Sequence, residues 1–129
     1  MCNPCTQKLE ETFRRMAVGQ NFQTPDALLG RPFTIDMISP ISVHITPQNI
    51  TITRAAFFET LHYLHSNGHI SSNPCSIESS NEPNASGPLC QASRAQNGNV
   101  RCINYILPIL ENYNFVSINS QRQNSVWLM

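Results

Sequence analysis

Residues 41–53 read ISVHITPQNITIT, and Ile41, Val43, Ile45, Ile50 and Ile52 alternate with other residues around a central PQN. A period of two puts the β-branched side chains on one face of an extended chain, so the stretch predicts a hairpin with one buried side. At Thr53 the period changes. Phe57, Leu61 and Leu64 recur every three to four residues in RAAFFETLHYLHSNG, Thr53 stands where an N-cap belongs, and Gly68 where a helix stops. A half-apolar hairpin running straight into a half-apolar helix restricts the chain to a mixed α+β fold, because each face needs the other elements to cover it.

The flanks extend this reading. In TQKLEETFRRMAVG, Leu9, Phe13, Met16 and Ala17 give one apolar stripe, with Thr6 as a cap and Gly19 as a stop. TPDALLG reads as one short helical turn, and RPFTIDMIS as a further strand before the hairpin. HISSNPCSIESSNEPNASG is a long polar loop with a short strand expected at residues 75–78. GPLCQASRAQ predicts a short helix with Pro88 in its first turn and Asn97-Gly98 as its end. In residues 99–129, Val100, Ile103, Ile106 or Leu107, and Leu110 predict another helix, kinked or split by Pro108. Val116, Ile118, Val126 and Leu128 then predict a second hairpin with SQRQN at its tip.

From Thr53 onward the order is helix, short strand, short helix, turn, helix, strand, polar loop, strand. This order resembles the winged helix-turn-helix superfamily, over residues 53–129 of a single domain spanning 1–129; residues 1–52 add a helix and a β-hairpin. The resemblance implies a non-catalytic DNA-binding protein, a transcription regulator or the sequence-reading part of a larger system. The helix from Asn99 would enter the major groove and the hairpin would touch the backbone. Mapped residue by residue, it implies contacts from Gln91, Arg94, Gln96 and Asn97, from Asn99, Arg101 and Asn104, and from Gln121, Arg122, Gln123 and Asn124. Amides of this kind pair with adenine, and guanidinium forks with guanine or phosphate. A homodimer on double-stranded DNA would double the few phosphate contacts, with the N-terminal helix and hairpin as its surface. The same scaffold also serves as a protein-interaction module, which is the alternative reading.

Composition bears on that choice. Charged residues are only 12%, Lys plus Arg equals Asp plus Glu at 8 each, and 14 Asn and 8 Gln supply the polarity instead. A net charge of zero counts against sequence-independent binding of polyanions, whose affinity comes mainly from phosphate neutralisation. Five cysteines, an odd number, with no signal-type apolar stretch lead to the expectation of a reduced, cytoplasmic protein without a membrane span.

Metal and catalytic signals are weak. His62, His65 and His69 share helical spacing ahead of Cys75, and CNPC at residues 2–5 has a zinc-like gap, but no second close cysteine pair completes it. Cys75 with His69 could form a thiolate–imidazole pair only if the fold joins them. Asp26 and Asp36 do not make a carboxylate cluster, and no glycine-rich phosphate loop is present. Neither an enzyme nor a cofactor is expected. Trp127 is expected to seal the last hairpin.

Overall fold

The computed structural model describes residues 3–25, 30–121 and 124–129, with the side chains of residues 3–5 and 83 left aside. The short turn expected around Asp26 lies mostly outside the described residues; of the CNPC motif, Cys2 lies outside them and residues 3–5 open the first helix. Within them the fold is α+β, with four α-helices and two antiparallel sheets.

Helix α1 (Asn3–Arg15) begins ahead of Thr6, which therefore lies inside it and does not cap it. Leu9 and Phe13 of its stripe are buried, as is Met16 just past its end, whereas Ala17, also beyond the helix, is exposed. Strands β1 (Asn21–Gln23), β2 (Pro32–Ile38), β3 (Ser42–Thr46) and β4 (Ile50–Thr53) form a four-stranded meander in chain order. Its inner face carries Phe33, Ile35, Val43, Ile45 and Ile52. The alternation therefore held for β3 and β4, but Ile41 precedes β3 and is 74% exposed. The register slips between Ile35 and Met37, a bulge that turns Met37 toward solvent.

Helix α2 (Arg54–Ser66) follows β4 without a loop. Thr53 caps it as expected, its Oγ1 accepting the Ala56 N–H at 3.1 Å. Gly68, at φ +64°, ends the helical region in the left-handed conformation glycine favours. Phe57, Leu61 and Leu64 are buried, and Phe57 meets Phe13 of α1 edge-on at 5.4 Å. The long loop contains β5 (Cys75–Ser76), shorter than expected, and one 3-10 turn at Pro83–Ala85. Helix α3 (Pro88–Ala95) opens on Gly87 with Pro88 in its first turn. Helix α4 (Ile103–Asn112) is one helix with Pro108 inside it, not two. Strands β6 (Val116–Asn119) and β7 (Ser125–Leu128) pair as the expected hairpin, and β5 joins the other edge of β7, giving the order β5-β7-β6.

Helix α4 is the centre of the molecule. Ile103, Ile106, Leu107, Ile109 and Leu110 are fully buried, and Tyr105 and Pro108 are buried as well. A core helix is apolar all round, whereas a helix that lies in a DNA groove keeps one polar face in water. The first sheet reaches α4: Phe33 of β2 packs edge-on against Tyr105 at 5.3 Å. The apolar faces of α1 and of the meander, expected at a dimer surface, are thus buried within the chain. No helix among the described residues is long and apolar enough to cross a membrane.

Candidate functional site

The residues expected on a DNA-reading face are separated by burial. Arg94 is only 4% exposed; Nη1 donates to the Ser80 carbonyl at 2.8 Å, and Nη2 to those of Asn81 and Asn99, each at 3.2 Å. It fastens the long polar loop to the α3–α4 turn and is not available to a phosphate. Asn97, 5% exposed, receives the Thr53 N–H at 2.8 Å and donates to the Thr51 carbonyl at 3.1 Å. Its amide takes the place of a neighbouring strand on the open edge of β4, so it is structural as well. The expectation that these two residues meet a ligand is corrected accordingly.

Gln91, Gln96, Asn99 and Gln121 are exposed, Arg101, Asn104 and Asn124 half-buried, and Arg122 and Gln123 lie outside the described residues. Several exposed groups already have local work. Gln91 donates to the Ser86 carbonyl, and the Gln121 N–H to Asn119. With Arg94 buried, no positive stripe joins Arg94 to Arg101. Other cations sit on the N-terminal half: Lys8, Arg15 and Arg54 lie over the rings of Phe115, Tyr113 and Phe13.

What the fold does assemble beside α4 is a polar groove in two compartments. One, of about 230 Å³, lies between Gln23, Pro108, Glu111, Ile118 and Ser120. The other, of about 250 Å³, lies between Ile77, Glu78, Ser79, Asn104 and Asn124. Thr24 and Pro25 border both. Pro108 shapes this groove through the backbone: lacking an N–H, it gives the Asn104 carbonyl no helical partner. One carboxylate oxygen of Glu111 receives the Ile118 N–H at 2.9 Å, which fixes its direction. Ser79 Oγ is buried without a hydrogen-bond partner. Among the described residues the lining offers two carboxylates, three amides and hydroxyls, and none of these residues is Lys or Arg. Such a surface repels phosphate and suits hydrogen-bond donors or cations.

Asn104 and Asn124 are the two sequence-predicted residues that fall in this groove. Gln23, Glu78, Ser79 and Glu111 were not foreseen. They come from three separate segments, and nothing in their local sequence joins them; Pro108 was the one visible signal.

The other chemical clusters do not form a centre. Among the described residues no three His, Cys, Asp or Glu side chains converge as a metal site. His62 stacks on Phe58 and His69 on Tyr63, while His69 Nδ1 lies 2.8 Å from the Asn73 carbonyl oxygen. Cys75, Cys90 and Cys102 are buried thiols. Burial, aided by Glu78, pushes the Cys75 thiol up to about 11, and burial pushes Cys102 to about 12, so neither is a nucleophile at neutral pH. The chain matches no family model, and no curated protein or solved structure is similar to it.

Proposed function

We propose that the chain is a protein-interaction module of winged-helix-like build, and that the groove beside α4 receives a polypeptide segment bearing Lys or Arg. The winged-helix reading is supported by element order together with strand order: β5-β7-β6 sets the strand after α2 at the edge of the final hairpin. The observation that carries the interaction reading is the state of α4. The helix such a scaffold would use to read bases is buried among α2, α3, β1 and β6, and the groove left at its side is lined by carboxylates and amides among the described residues.

A random peptide library selected on the folded chain tests this. Enriched peptides are expected to carry Lys or Arg, and Glu111→Gln or Asn104→Ala is expected to weaken them about tenfold, the value of one charge-assisted hydrogen bond. Binding indifferent to both substitutions would reject the groove.

Recognition of duplex DNA by a homodimer is the second reading, favoured by the exposure of Gln91, Gln96 and Asn99 around the α3–α4 turn. Its signature is affinity for random duplex that falls steeply with salt. On the interaction reading no such slope is expected.

A further inference from the structure

We infer that a second cavity, away from the α4 groove, binds a small carboxylate with an aromatic or branched apolar body. The cavity measures about 210 Å³ and opens between α1, α2 and the end of the chain. Leu61, Phe115 and Leu128 supply its apolar walls, with Met129 at its exposed mouth, and Lys8 and His65 are its basic residues among those described. No acidic side chain lines it among the described residues.

Lys8, an exposed residue, is oriented at the rim by two contacts. Its Nζ donates to the Asn114 carbonyl at 3.1 Å and sits 4.4 Å from the centroid of the Phe115 ring. An ammonium has three N–H donors, so an anion can be received without breaking that bond. Asn114 lies at φ +65°, in the tight turn after α4 that brings its carbonyl to this side. The opposite wall is equally fixed, since the Met129 N–H donates to the Phe115 carbonyl at 3.1 Å and the Leu128 N–H to that of His69 at 2.8 Å. An apolar cavity of about 150 Å³ accepts benzene, so this volume accommodates one ring and a short acidic arm. The cation at the rim selects a carboxylate over a neutral molecule of the same shape.

The test is an NMR titration of the intact chain with phenylacetate and, separately, with phenylacetamide. Phenylacetate is expected to bind in the millimolar range, as ten heavy atoms at drug-like efficiency allow, and to shift the amides of Leu61, Phe115 and Leu128. Phenylacetamide is expected to bind about tenfold more weakly, and Lys8→Met to erase the difference while Lys8→Arg retains it. Equal affinity for acid and amide, or acid shifts spread over the surface, would overturn the assignment without recourse to any variant. Acetyl-Gly-Phe binding far more tightly than phenylacetate would also overturn it, since the occupant would then be the end of a polypeptide. The peptide selection at the α4 groove is independent of these outcomes.

Discussion

At the scale of single residues, two side chains that look like ligand contacts in the sequence, Arg94 and Asn97, are consumed by the fold. Arg94 has three carbonyl acceptors, and its Nε is buried without a partner. A guanidinium in that setting is tolerated because it also stands in the last turn of α3, beside the partial negative charge of the helix terminus. His44 is the residue that invites a pH experiment. Nδ1 lies 2.6 Å from Asp36 Oδ1 and Nε2 lies 2.8 Å from Asn49 Oδ1, so both ring nitrogens face acceptors and both contacts call for the doubly protonated ring. The hydrogen bond to Asp36, then that to Asn49, holds its pKa above the ordinary 6.5. A raised histidine pKa contributes stability that is complete below the unfolded value and fades as pH rises through the folded one. The melting temperature is therefore expected to decline slightly from about pH 6.5 upward, and His44→Gln to flatten that decline. A wild-type profile identical to that of His44→Gln would show the pair to be energetically silent. The pair is solvent-accessible, so the effect is small.

At the scale of elements, Gly87 decides how α3 meets the loop before it. A Cβ there would lie 2.5 Å from Glu78 Oε2 and 2.7 Å from Glu78 Cβ. The Gly87 N–H also donates to the Glu78 carbonyl at 2.9 Å, and Glu78 itself sits at φ +40°. The carboxylate tip can swing aside, but the Cβ moves only with its backbone. Gly87→Ala is expected to cost about 1–3 kcal/mol, the range for forcing extra volume into a packed site. Urea unfolding measures it; an unchanged midpoint would mean that the loop gives way freely. Sequence alone marks Gly87 only as an opener of α3, since a clash between residues 78 and 87 exists only once the loop has closed. The capping by Thr53, the pairing of the two hairpins and the Pro88 start were legible because each is set by neighbours in the chain. Strand β1 was not, having three residues and one half-buried phenylalanine.

At the scale of the whole molecule, the N-terminal and C-terminal portions share one core. Leu9, Phe13, Phe33 and Ile45 belong to the same buried cluster as Phe57, Ile106 and Val126. Polar bonds cross the same boundary: Lys8 to Asn114, Asn97 to Thr51, and Gln20 to Tyr113. Unfolding is accordingly expected to be a single transition, with far-ultraviolet circular dichroism and Trp127 fluorescence coinciding. Two separated melts would show residues 1–52 to be a detachable appendage.

Apart from β1, the sequence by itself determined the elements and their order, because periodicity, caps and turn residues act over a few positions. It also determined that the surface would be amide-rich and carry no net charge. Only the tertiary structure decided which amides and cations reach solvent. Whether Asn97 faces a ligand or the edge of β4, and whether α4 reads or is enclosed, depends on contacts between segments tens of residues apart. Local pattern carries no record of those contacts. The groove exists for the same reason: its carboxylates, amides and Pro108 become neighbours only once β1, the loop after β5 and the final hairpin have packed around α4.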